Sequence, residues 1–235
     1  MHRGWSSTIR NLCRVAPHVA ATVVATAGVL LSPVGVPAAS AAPCPDVEVV
    51  FARGTTEPPG VGGIGQAFVD SLRPALGDRS VGVYAVNYPA STDFPTAADG
   101  VVDASTHVRA MAADCPGTRL VLGGYSQGAA VIGYLTEDAI PAGFTLPAGI
   151  TGPMPPDIAD HVAAVALFGK PSSEFLNTIG APPLVIGHLY TAKTMDLCAP
   201  GDPICAPDGN NNIAHALYGV NGMVSQAATF AARQV

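Results

Sequence analysis

The sequence predicts a single doubly wound α/β domain, on three observations. Apolar runs of strand length alternate with longer helical patterns, the order that builds strand–helix–strand units. Several of those runs are nearly unbroken by polar residues, as parallel strands covered on both faces require. No internal repeat, low-complexity tail or linker marks a second domain. In chain order, the first strand is expected at Val47–Ala52, apolar except for Glu48, and the first helix near Gly62–Leu76. A strand over Val81–Asn87 and a helix near Ala98–Asp114 follow, then a strand over Arg119–Gly123 and a helix near Gln127–Asp138. Pro141–Pro156 is rich in Pro and Gly and reads as a long surface loop. Apolar strands over Val162–Phe168 and Leu184–Tyr190 and a last helix near His215–Ala232 complete the pattern.

The 235 residues are 49% hydrophobic and only 12% charged, with a formal net charge of −6. Such a length buries a sizeable core without metal clips. The absence of a basic cluster argues against a nucleic-acid partner. The longest apolar run, Val19–Leu31, has thirteen residues, short of the roughly 20 that a membrane-spanning helix needs, so no stable membrane span is expected. That run follows Arg3, Arg10 and Arg14 and precedes Ala39-Ser40-Ala41. A basic segment, a short apolar segment and a small-residue site together describe a secretory signal peptide, residues 1–41, rather than a retained anchor. Its removal leaves residues 42–235 as the domain and takes three arginines and no acid with it, which moves the formal charge to −9. Cys13 leaves with the leader, and Cys44, Cys115, Cys198 and Cys205 remain. An even number of cysteines in an oxidising compartment predicts two disulfides. The seven-residue spacing in a Pro/Gly-rich stretch favours Cys198 with Cys205, leaving Cys44 for Cys115. Zinc is the competing reading, weakened by the lack of nearby paired histidines.

Chemistry enters at Gly124-Tyr125-Ser126-Gln127-Gly128, which lies between the Arg119–Gly123 strand and a helical run. G-x-S-x-G at a strand-to-helix turn presents the serine hydroxyl at a helix N-terminus, so Ser126 is the candidate nucleophile. A serine hydroxyl needs a base to take its proton and an acid to orient that base, in the chain order Ser, Asp/Glu, His. Of the later histidines, His161 opens a strand and so sits at the wrong end, and His188 falls inside an apolar strand. His215, in a loop before the last helix, is therefore the expected base. Asp138, Asp157 and Asp160 precede the later strands, whereas Asp196 and Asp202 follow the last one. Asp202 is favoured because the Cys198–Cys205 loop would hold it rigidly, and Asp208 in Asp208-Gly209-Asn210 reads as a solvated turn residue. Oxyanion donors are expected from the Gln127 backbone N–H and from the loop Arg53-Gly54-Thr55-Thr56-Glu57, where Thr55 and Thr56 are equally placed.

These motifs resemble the cutinase family of serine esterases, especially its actinobacterial and mycobacterial cutinase-like branch. The resemblance rests on Arg53–Glu57 after the first strand, the Gly124–Gly128 motif, Cys198-x3-Asp202-x2-Cys205 and His215 about ten residues later. It spans essentially the whole chain from Cys44. It implies a three-layer α/β-hydrolase sandwich with a small, mainly parallel five-stranded sheet and a largely lidless site, a feature the Pro141–Pro156 loop puts in question. It also implies Ser126 as nucleophile, Asp202 as orienting acid, His215 as general acid/base, an oxyanion hole at Thr55 and Gln127, and the same two disulfides. The expected activity is hydrolysis of short-to-medium acyl esters or lipids by a secreted monomer, extracellular or wall-associated, with no metal or organic cofactor. Rival expectations are a phospholipase or thioesterase on the same triad, and a secreted binding or antigenic protein without activity. Tyr88, Phe94, Ile179, Pro182 and Pro183, on the Tyr88–Pro95 and Asn177–Pro183 loops, are expected to form an apolar rim.

Overall fold

A computed structural model describes residues 43–141, 148 and 150–235. The expected signal peptide, and the centre of the Pro141–Pro156 loop, lie outside the described residues. Strand β1 spans Val47–Ala52 and is followed by α1 (Gly62–Leu76) and β2 (Val81–Ala85). A 3-10 turn at Phe94–Thr96 leads into α2 (Ala97–Asp114), β3 (Arg119–Tyr125) and α3 (Gln127–Leu135). Then come α4 (Ile158–His161), β4 (Val162–Phe168), α5 (Ser173–Thr178), α6 (His188–Thr191) and β5 (Thr194–Leu197). The described chain ends with α7 (Asn212–Ala216) and α8 (Met223–Gln234).

All the strand pairs are parallel, in the order β2-β1-β3-β4-β5. Alternation along β1 divides the core. Val47, Val49 and Phe51 face α1 and α8, where Phe68, Leu72, Val224 and Ala228 cover them. Val50 and Ala52 face α2 and α3, against Ala104, Val108, Val131 and Ile132. The inner strands are therefore covered on both faces, and β1 and β4 are buried at every position, whereas the edge strand β2 is only partly buried. The chain turns one way from β1 to β2 and the other way from β3 onward. That reversal opens a crevice at the carboxyl ends of β1 and β3, the place where open α/β sheets bind ligands. Among the described residues, no helix is long and apolar enough to cross a membrane.

Two expected elements are corrected. Leu184–Tyr190 is not a strand: it runs as an extended segment and then enters α6, and the fifth strand is Thr194–Leu197. Leu184 packs with Ala130 of α3 and Leu176 of α5, so its apolar character serves side-chain packing outside the sheet. The single helix expected near His215–Ala232 is two helices, α7 and α8, separated by residues 217–222; Gly222, whose φ of 90° is left-handed, leads into α8.

Candidate active site

The crevice is built from the segments that follow the carboxyl ends of the five strands. At the end of β3 the chain turns into α3 within one residue. Ser126 takes φ 54° and ψ −118° there, a conformation costing on the order of 1–3 kcal/mol for a non-glycine residue. The turn closes this tightly because its flanking residues lack side chains. A Cβ on Gly124 would strike the Gly128 carbonyl, and one on Gly128 would strike the Ala52 carbonyl of β1. The Ser126 amide donates to the Phe168 carbonyl of β4 at 2.9 Å, which fixes the strained residue to the sheet.

Ser126 Oγ lies 2.9 Å from His215 Nε2, and His215 Nδ1 lies 2.8 Å from Asp202 Oδ2. With a neutral imidazole, Nδ1–H donates to the carboxylate and Nε2 accepts from the serine. Asp202 is fully buried, inside the loop closed by the Cys198–Cys205 bond. Burying a charge is costly unless donors satisfy it. Oδ1 accepts the Ile204 amide at 2.8 Å, and Oδ2 accepts both His215 and the Tyr218 hydroxyl, the latter at 2.6 Å. Tyr125 lies against His215, with ring centroids 5.1 Å apart, and its hydroxyl donates to the His215 carbonyl at 2.7 Å. Burial, with the Glu57 and Asp202 charges adding to it, pushes the Tyr125 phenol up to about 12, so this donor keeps its proton at neutral pH.

The loop after β1 faces Ser126. Arg53 is buried and donates to the carbonyls of Glu57 (2.8 Å) and Tyr88 (2.6 Å), with its guanidinium over the Tyr88 ring. Tyr88 returns a hydroxyl bond to the Arg53 carbonyl. The Glu57 carboxylate accepts the amides of Gly54 and Gly63, each at 2.7 Å. The Thr56 amide donates to Ala90, with Thr56 at φ 64°. Among the described residues, the Thr55 amide has no partner. The Gln127 amide opens α3 and so has no intrahelical acceptor. The Gln127 side chain donates to the Ser91 carbonyl at 3.1 Å, bracing α3 against the 88–95 loop.

A cavity of about 270 Å³ adjoins these groups. Ser126, His215, Thr55 and Gln127 line one end; Phe94, Ala130, Phe175, Leu176 and Ile179 supply apolar walls. Of the expected rim, Phe94 and Ile179 line it, whereas Tyr88, Pro182 and Pro183 do not. Tyr88 is buried beneath Arg53, and the Pro182 carbonyl accepts the Tyr134 hydroxyl at 2.6 Å.

The remaining candidates lie elsewhere. His161 ends α4. His188 is not the strand histidine expected: it is exposed on α6 and meets Asp138 at 2.9 Å. Bonds from the His188 amide and ring hold the Asp138 carboxyl below its ordinary value. Asp196 lies within β5 rather than after it and pairs with Lys170 at 3.3 Å, while burial pushes its carboxyl up. Asp208 occupies a left-handed turn. All four expected cysteines are engaged as Cys44–Cys115 and Cys198–Cys205 disulfides, which removes the thiolates a zinc site would need. Sequence reasoning missed the bracing roles of Arg53, Glu57, Tyr125 and Tyr218. Tyr125 lies inside the serine motif and Tyr218 three residues after His215, but a hydrogen bond between distant loops leaves no periodic signal.

The comparisons with known proteins point one way. Carboxylesterase Culp1 of Mycobacterium tuberculosis is 51% identical over 231 residues, covering 97% of this chain and 98% of that protein. Phospholipase Culp4 of the same organism is 52% identical over 215 residues, covering 92% and 89%. Among solved structures, Trichoderma reesei cutinase in complex with a C11Y4 phosphonate inhibitor superposes with a TM-score of 0.60 at 32% identity, covering 82% of this chain and 77% of that one. The sequence model for the family described as Cutinase matches residues 43–235. The serine, histidine and aspartate at the crevice of a five-stranded parallel sheet thus lie in a chain whose relatives agree in sequence and in fold: the chain belongs to the cutinase family of ester hydrolases.

Proposed function

We propose that this ester hydrolase is a secreted serine esterase that cleaves esters of short-to-medium acyl chains or lipids through an acyl-enzyme. The observation that carries the reading is the unbroken chain from Ser126 Oγ through His215 to Asp202, with contacts of 2.9 and 2.8 Å. Ser126 Oγ attacks the ester carbonyl carbon while His215 Nε2 takes the hydroxyl proton. The carbonyl oxygen becomes an oxyanion facing the amides of Thr55 and Gln127. Collapse expels the alcohol, which receives the proton from His215 and leaves acyl-Ser126. Water, deprotonated by His215, attacks that ester; the acid departs and Ser126 regains its proton. Asp202 holds the imidazole in the tautomer that accepts from serine and stabilises the imidazolium formed in each half-reaction. The apolar cavity beside Ser126 is the acyl site in this reading. Residues 1–41 are the cleaved leader, and the two disulfides fit the oxidising compartment to which it directs the chain.

Ser126→Ala is expected to abolish turnover of p-nitrophenyl butyrate, by about a thousandfold or more, and to prevent labelling by a fluorophosphonate. Full activity in that variant overturns the assignment. A series from acetate to palmitate tests the substrate class, with an optimum expected below palmitate; a sharp preference for polar acyl groups refutes it. The similarity to a protein named as a phospholipase supports a second reading, in which the acyl chain comes from a phospholipid. Fatty-acid release from phosphatidylcholine vesicles at a rate matching the best simple ester would favour it.

A further inference from the structure

Asp202 Oδ2 receives two donors, and only one of them belongs to the Ser–His–Asp chain. The other is Tyr218, fully buried, whose hydroxyl is 2.6 Å from Oδ2 and accepts the Ala199 amide at 2.9 Å. The same oxygen lies 3.3 Å from Cys205 Sγ. Tyr218 therefore spans both sides of the disulfide loop and meets the carboxylate from behind the histidine. Its ring packs edge-on against His215, Tyr125 and Phe168. Gly169, at φ 59°, keeps the junction open: a Cβ there would lie 3.1 Å from His215 Cε1 and the Tyr218 hydroxyl, and 3.2 Å from Asp202 Oδ2.

We propose that Tyr218 is a positioning residue whose hydroxyl shares the Asp202 charge with His215, fixing the carboxylate and moderating its hold on the imidazolium. The inference rests on the Ser126–His215–Asp202 reading and deepens it. A tyrosine hydroxyl that accepts the Ala199 amide and donates to the Asp202 carboxylate has one orientation available, so it sets the oxygen that His215 meets. Burial and the Asp202 bond push its phenol far above the ordinary value, so it remains a donor across the working pH range. The other titratable groups facing the pair are Tyr125, stacked on His215, and Glu57 beyond it. Lys170, next to Gly169, is engaged by Asp196.

The sign follows from sharing. A carboxylate relieved of one donor concentrates its charge on His215 and stabilises the imidazolium. The inactive protonated form then persists to higher pH. In Tyr218→Phe the acid limb of the kcat/KM profile is expected to move up by about half a pH unit, and kcat to fall about tenfold with KM little changed. Replacing Tyr218 with a ring-fluorinated tyrosine, of nearly the same shape but a stronger donor, should move the limb the opposite way. This second variant keeps the hydroxyl and its packing, both of which the first disturbs. Opposite displacements support the proposal. Superimposable profiles for the fluorinated and native proteins overturn it, provided Ser126→Ala is inactive. An active Ser126→Ala instead brings down the underlying esterase mechanism.

Discussion

Asp202 is fully buried, and three protein donors meet its carboxylate. An amide at this position keeps the size of the side chain but offers an N–H where His215 needs an acceptor. Asp202→Asn is therefore expected to fold normally and lose about ten-thousandfold in kcat, because the imidazole would present the wrong tautomer to Ser126. Circular dichroism and p-nitrophenyl butyrate turnover check this together; activity within tenfold of the native protein would contradict it. At the same scale, Ser126 and Asp202 were legible in the sequence because a glycine-flanked turn and a cysteine-flanked loop announce rigidity. Tyr218 was not, since an aromatic residue on an apolar stretch has the same pattern whether its hydroxyl is idle or bonded.

At the scale of elements, what a segment leans on decides how it reads. β1 and β4 were found to the residue because strands buried on both faces are written as nearly unbroken apolar runs, interrupted here only by Glu48. β5 was missed because it is a four-residue edge strand that includes Asp196, while the more apolar Leu184–Tyr190 mimicked it. That segment is held instead by the end of α3: the Glu137 carboxylate accepts the Val185 amide at 2.8 Å, and the Gly187 amide donates to the Thr136 carbonyl at 3.0 Å. Burial raises the Glu137 carboxyl above its ordinary value. A group whose proton is held more firmly in the folded state favours folding at low pH and opposes it once ionised. Glu137→Gln keeps a carbonyl for Val185 and removes the charge. Its Tm should exceed the native value near pH 8, with the advantage shrinking toward pH 4; a constant difference across that range would show that the charge is irrelevant.

Across the whole molecule the two disulfides divide their labour. Cys44–Cys115 closes a separation of 71 residues and Cys198–Cys205 one of 7. Loop-closure entropy gives the long one about 4 kcal/mol and the short one about 2.5 kcal/mol. Cys44→Ser/Cys115→Ser should therefore lower Tm more, while Cys198→Ser/Cys205→Ser should lower kcat more, since only the latter frees Asp202. Parallel measurement of Tm and kcat on both pairs decides it, and the reverse ranking would refute the division. The pairing of α1 with α8 carries a last consequence, one of timing. These helices come from the two ends of the described chain, yet they cover the same face of the sheet. During synthesis α1 covers its own part of that face first, and the part beneath Val224 and Ala228 is closed only once α8 has emerged.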